Sequence, residues 1–277
     1  MFALELIVAA AVPFDEAGDS RARHAQLVTP ARSQAGAAAR SVVVGDRTVR
    51  LVGLGGPASE RLLSRVAANI GAAVNAVEAF WGVDWPPEIT VLAAGSDEQF
   101  RAAAGGGPPS QWADIAAVTV AERVDLAHRV AVGQRIVFAP GAANMNEGAL
   151  RMVLTHELFH YAARVYTASD APQWLTEGVA DFVARPQIPV PADALPVPLT
   201  LPTDHDLEAP GPQRSLAYDH AWWFARFVAD TFGAPKLRDL YLASCGVGHT
   251  DVPTAVHNAL GIDPAGLLVR WHQWLAR

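Results

Sequence analysis

Apolar and polar positions follow two different periods along this chain, and the change from one to the other marks its elements. Val42-Val43-Val44, a Gly45-Asp46 turn and then Thr48 to Leu54 predict a β-hairpin, since short β-branched runs joined by such a pair suit strands linked by a tight turn. Ser59 to Trp81 instead spaces Leu62, Leu63, Val66, Ile70, Val74, Val77 and Phe80 as one face of a helix, which Trp85-Pro86-Pro87 ends. Ile89 to Ala93 reads as a short buried strand, Ser96 as the cap of a short helix through Phe100, and Gly105 to Pro109 as a loop. Two more β segments, Ile115 to Val120 and Arg135 to Phe138, lead to a long helix over 146–166 and another over 172–184.

Between Pro186 and Arg214 the period disappears and prolines recur, which predicts a long extended loop of the kind that serves as lid or linker. Helical spacing returns over Leu216 to Phe232, Pro235 to Leu242, Val252 to Leu260 and Pro264 to Leu275, with Gly233 and Gly261 placed as terminators. The expected fold class is therefore α+β, a mixed sheet with its helices followed by an all-helical C-terminal part. Its expected divisions are an apolar start and poorly ordered leader over 1–40, a sheet-bearing domain over 41–185, the proline-rich loop over 186–214 and a helical subdomain over 215–277.

Composition narrows the classes of function. The 277 residues, 51% hydrophobic and 18% charged, suffice for a substantial core and exclude a disordered or fibrous chain. Lys and Arg number 21 against 28 Asp and Glu, a net charge of −7, and no basic run could follow a phosphate backbone, so nucleic acid is not an expected partner. Cys245 is the one cysteine; a thiolate zinc cluster is ruled out, and any metal must be held by His and carboxylates. The most apolar run, Phe2 to Val12, contains Glu5 and meets Pro13, too short and interrupted for a transmembrane segment. Its Ala9-Ala10-Ala11 end looks like part of an export signal while the basic flank is missing, so an exported or envelope-associated protein and a cytoplasmic one both stay open.

The chemistry concentrates in His156-Glu157-Leu158-Phe159-His160, which matches H-E-x-x-H inside a segment read as helix on independent grounds. Four residues advance a helix by about 400°, so the two imidazoles share one face a single turn apart and can chelate one ion. Glu157 lies about 100° round, within reach of a metal-bound water without being a ligand. Leu150, Leu154, Tyr161 and Val165 occupy the opposite side and face a core. A third ligand is needed, and Trp174-Leu175-Thr176-Glu177-Gly178-Val179-Ala180-Asp181 supplies Glu177 after a turn at Asp170-Ala171-Pro172. Asp181, one turn on, is placed to accept the second N–H of a ligand histidine. A solvated acidic helix face is the blander reading, and the apolar residues around Glu177 speak against it.

These residues resemble the gluzincin metallopeptidases, the clan of thermolysin and the zinc aminopeptidases, and most closely the compact bacterial peptidase MA-like group. The likeness covers roughly residues 41–277. It is specific at the two zinc helices and looser in the preceding hairpin, long helix and strands and in the Ala217-Tyr218-Asp219-His220-Ala221-Trp222 segment that follows. The resemblance implies a zincin-like fold, one Zn2+ per chain on His156, His160 and Glu177, Glu157 as general base, Asp181 as support behind a ligand histidine, and a peptide or protein substrate. It also implies a Tyr or His from the helical part that donates to the oxyanion; Tyr218 is the choice here, with His220 the other candidate and a merely packed tyrosine the alternative. Peptide substrates in this clan lie against an edge strand, for which Arg135 to Phe138 and Ile115 to Val120 are both candidates.

One departure bears on the substrate. Zinc aminopeptidases carry a Gly-x-Met-Glu-Asn segment well upstream of the zinc helix, which Gly141 to Glu147 echoes only superficially and almost at the helix start, so aminopeptidase activity is not carried over. Two other readings remain: a catalytically silent zincin-like binding or regulatory module with a structural zinc, and a metal-free helical scaffold whose motif is accidental. His24, His128, His205, His249, His257 and His272 lack ligand spacing and read as surface or capping residues. Asp204-His205-Asp206 reads as exposed loop polarity rather than a second metal site, and the tryptophans as core. Peptide preference, internal or terminal cleavage and oligomeric state are not legible.

Overall fold

The structure, a computed structural model, describes residues 39–112, 115–190, 200–209 and 211–276. The apolar run Phe2 to Val12, nearly all of the expected leader and part of the proline-rich loop lie outside the described residues.

The hairpin forms from β1 (Ala39–Val44) and β2 (Arg47–Gly53), antiparallel about a turn whose Gly45 has φ 55. Along β2 burial alternates: Val49 and Leu51 face the core, Thr48 and Arg50 face out, so one face of the sheet is covered by helices. Helix α1 (Gly56–Trp81) crosses that face and returns the chain to β3 (Glu88–Ala93), parallel to β2 in the register Val49 to Ile89 and Leu51 to Val91. Arg47, itself 4% exposed, closes this unit by donating to the carbonyls of Val83, Trp85 and Pro86 just beyond the end of α1.

After α2 (Asp97–Ala103), capped by Ser96, come β4 (Ala117–Val120), β5 (Arg123–Asp125), β6 (Val130–Val132) and β7 (Arg135–Phe138). The main sheet has the order β1-β2-β3-β7-β4, with β7 parallel to β3 and antiparallel to β4. It is a mixed sheet in an α+β chain. β5 and β6 pair with each other as a separate two-stranded hairpin that the pattern of residues does not announce. Each strand is three residues long, too short to show a period, and the connection reaches its left-handed conformation at Arg129 (φ 54) rather than at a glycine or asparagine.

Helix α3 (Glu147–Ala163) starts at Asn146, whose side chain accepts from the Ala149 N–H, and is buried on nearly every side, the mark of a central helix. A single 3-10 turn over Arg164–Tyr166 continues it, and α4 (Gln173–Ala184) returns beside it. Within the stretch expected as pure loop, Asp204–Leu207 forms a one-turn helix, α5, closed by a reciprocal Thr203 and Asp206 capping box. Helix α6 (Pro212–Phe232) begins four residues before the apolar pattern does, with Pro212 at its first turn, and α7 (Ala234–Cys245), α8 (Val252–Leu260) and α9 (Pro264–Leu275) follow. One contiguous core joins β2, β3, α1, α3, α4, α6, α7, α8 and α9. A smaller one around Phe100, Trp112, Val118 and Val137 fills the other face of the sheet near β4 and β7. Among the described residues, no helix is long and apolar enough to cross a membrane.

Candidate metal centre

The site assembles where α3, α4, α6 and β4 meet. His156 and His160 project from one face of α3 with ring centroids 4.8 Å apart, and their Nε2 atoms approach to 3.0 Å. Glu177 on α4 comes in from the facing helix: one carboxylate oxygen lies 3.3 Å from His156 Nε2 and the other 3.4 Å from His160 Nε2. One ligand atom from each of the three residues lies within 4.8 Å of the others, so this buried triad can hold a metal ion. The packing of α4 against α6 fixes the place of Glu177, because a Cβ at Gly178 would overlap the Ala221 carbonyl, and only glycine lets the helices approach this closely.

The donor chemistry suits a cation. Asp181 Oδ1 lies 2.9 Å from His156 Nδ1, and a carboxylate only accepts, so Nδ1 keeps its proton and Nε2 is the nitrogen that can hold either a second proton or a metal ion. Oε2 of Glu177 is buried and has no hydrogen-bond partner among the described residues, a cost that a bound cation removes. Charge agrees with geometry. Burial disfavours a charged His156, yet the Asp181 and Glu177 carboxylates outweigh it and push its pKa up to about 10. Burial likewise disfavours ionised Glu177, and His160 and His156 outweigh it and hold its pKa at about 2. The cluster attracts positive charge, whether proton or metal.

Glu157 points to the sheet instead. The Thr119 hydroxyl on β4 reaches both the Glu157 carboxylate (2.7 Å) and its backbone carbonyl (2.8 Å), and Arg164, one turn beyond His160, donates to the Thr119 carbonyl at 2.9 Å. The helix thereby anchors the strand residue that holds its own glutamate. Tyr218 on α6 is 5% exposed; burial first, then the carboxylates of Glu177 and Asp181, drive its pKa far above the usual tyrosine value. It stays protonated, a donor within electrostatic reach of the triad. His220 faces Trp223 and helps line a cavity of about 400 Å3 beside α6, with Leu201, Pro202, His205, Leu216 and Ala217. None of the triad lines that cavity.

Of the two strand segments expected to offer an edge, Arg135–Phe138 lies between β3 and β4 and has none, whereas β4 ends the main sheet. The Asp204-His205-Asp206 triplet divides its tasks: Asp204 accepts from the Trp174 N–H at 2.8 Å and caps α4, Asp206 caps α5, and His205 stands in solvent beside Glu208. Residues that the sequence reading missed are Thr119, Arg164, Arg185 and Asp219. Arg185 is marked only by its place one helical turn after Asp181, and nothing local marks the other three.

A comparison with known protein families finds no family model that matches the chain, and a comparison with curated proteins finds no match.

Proposed function

We propose that this chain is a zinc-dependent metallopeptidase with a zincin-like fold of the gluzincin kind, in which His156, His160 and Glu177 hold one zinc ion. The observation that carries the reading is the convergence of two imidazoles and one carboxylate, buried, with Glu157 beside them but turned to Thr119 rather than to the ligand set. Zinc when bound supplies a Lewis acid that lowers the pKa of water and polarises a carbonyl. Glu157 takes the proton of the attacking water and delivers it to the departing amine, as a base held in place by the Thr119 hydroxyl. Protonated Tyr218 donates to the oxygen on which negative charge develops. Asp181 keeps His156 in the tautomer that presents Nε2.

A second reading is a silent module in which the metal only ties α3 to α4, favoured by the depth of the site, where His156 and Glu157 are each 1% exposed. The Glu157→Gln variant separates the two. On the peptidase reading, protein purified without added zinc contains about one zinc per chain by elemental analysis. The variant then keeps its zinc while cleavage of a peptide library falls by at least about a thousandfold, toward the loss expected when a general base is removed together with the charge it carries. Zinc retention with wild type and variant equally inert establishes the silent module, and absence of zinc from the wild type refutes both.

A further inference from the structure

We propose that Arg185 and Asp219 are positioning residues of the metal centre, setting the orientation of His156 through Asp181 and registering α6, with its Tyr218, against the ligand helices. The proposal rests on the metal-binding reading of the triad and adds the groups that hold it.

The contacts form one unbroken line across three helices. Asp219 Oδ1 on α6 accepts from Arg185 Nη1 at 2.7 Å, Arg185 Nη2 lies 2.7 Å from Asp181 Oδ2, and Asp181 Oδ1 lies 2.9 Å from His156 Nδ1 on α3. Each end of the Arg185 fork thus serves a different carboxylate, which a lysine ammonium cannot do in a fixed plane. Arg185 is itself held on two further sides. Its guanidinium lies 4.9 Å over the Trp222 ring, one turn beyond Asp219, and its backbone N–H donates to the Asp181 carbonyl at 2.8 Å as α4 ends.

The consequence for His156 is geometric. Asp181 is 1% exposed and has two oxygens; with Oδ2 in a close ion pair with Arg185 and Oδ1 at His156, turning the carboxylate about its last bond gives up both contacts, and this favours one place for Oδ1. The imidazole plane follows, and with it the direction in which Nε2 faces Glu177 and His160. Supports of this outer kind are worth about 10- to 100-fold in metal affinity elsewhere. The same line crosses from α4 to α6 at the residue after Tyr218, so α6 cannot shift along α4 without breaking the Asp219 to Arg185 contact or the Gly178 to Ala221 approach.

The test is the dissociation constant for Zn2+ itself, measured by competition with a chromophoric chelator on full-length wild type, Arg185→Met, Arg185→Lys, Asp219→Asn and, as control, His156→Ala. Thermal melts of the metal-free forms run beside it to separate loss of fold from loss of metal. The expected result is affinity weakened about 10- to 100-fold in Arg185→Met, with Arg185→Lys recovering only part and Asp219→Asn losing several-fold. Metal affinity in Arg185→Met and Asp219→Asn within twofold of wild type, while His156→Ala loses zinc, overturns the proposal and leaves the metal site standing. If Arg185→Met fails to fold, Asp219→Asn, whose side chain is 38% exposed, decides alone. A wild type that takes up no zinc overturns the metal reading and this proposal with it.

Discussion

His156 keeps a proton on Nδ1 for Asp181, while at Nε2 a second proton and a metal ion compete for one lone pair. In the metal-free protein that tension has a measurable sign. Burial lowers its pKa, the carboxylates of Asp181 and Glu177 raise it more, and the result is about 10 against 6.5 for an ordinary histidine. A raised value means the folded state holds the proton more tightly, so the stabilisation is complete below about pH 6.5 and is lost as pH rises through the folded value. Glu177, depressed to about 2, is the same interaction seen from the other partner; its contribution is present above the ordinary carboxylate pKa and is lost as pH falls toward 2. The melting temperature of chelator-treated protein should therefore drop between pH 6.5 and 10, and His156→Gln should flatten most of that slope; equal slopes in the two proteins would contradict the assignment. Zinc competes with the proton for the same group of atoms, so the apparent zinc affinity should rise over this pH range.

The helix that carries Glu177 is placed by two devices of different strength. Asp204 caps α4 from a segment that the residue pattern reads as loop, replacing the side-chain cap that Pro172 cannot give. Gly178 sets how near α4 lies to α6, because any side chain there meets the Ala221 carbonyl. Gly178→Ala gains helix propensity but must push the two helices apart, and overpacking of this kind costs about 1–3 kcal/mol. The expected outcome is a lower denaturation midpoint at unchanged m-value together with weaker zinc binding, since Glu177 precedes Gly178 and moves with it. A stabilised Gly178→Ala protein would show that α4 and α6 are less closely tied than this approach requires. The elements themselves were unequally legible. The long amphipathic α1 announces itself through seven apolar residues at helical spacing, whereas β5, β6 and α5 are too short for a period: β5 and β6 are held by pairing with each other and α5 by its Thr203 and Asp206 capping box.

Taken whole, the molecule places its polar centre inside one contiguous apolar core that runs from β2 to α9. Carboxylates and imidazoles at such depth are tolerated when each is paired; among the described residues Glu177 Oε2 and Asp181 Oδ2 both lack a hydrogen bond, the first left with an ion contact to His156 and the second with one to Arg185. A metal ion bound there links α3 to α4, and a ligand that binds the folded state alone adds about 4 kcal/mol at a free concentration one thousand times its dissociation constant. For a domain of roughly this length, about 2–4 °C per kcal/mol puts the expected gain in melting temperature at roughly 10 °C. Calorimetry with excess zinc against excess chelator measures it. A melting temperature unmoved by either would exclude a resident metal.

What the sequence determined alone was local: which segments are helices, which residue types stand one turn apart, and hence that His156 and His160 share a face and that Glu177 and Asp181 repeat the same spacing on the next helix. Helical geometry turns a four-residue spacing into a direction in space without reference to anything else. Tertiary structure decided the rest: that Glu177 meets both imidazoles, that Thr119, 38 residues before Glu157, supplies its hydrogen bond, that β4 rather than β7 ends the sheet, and that Asp219 reaches Asp181 through Arg185. Periodicity reports how a side chain points from its own helix or strand. It carries no information about which other element packs there, and that choice is made by the burial of the whole core at once.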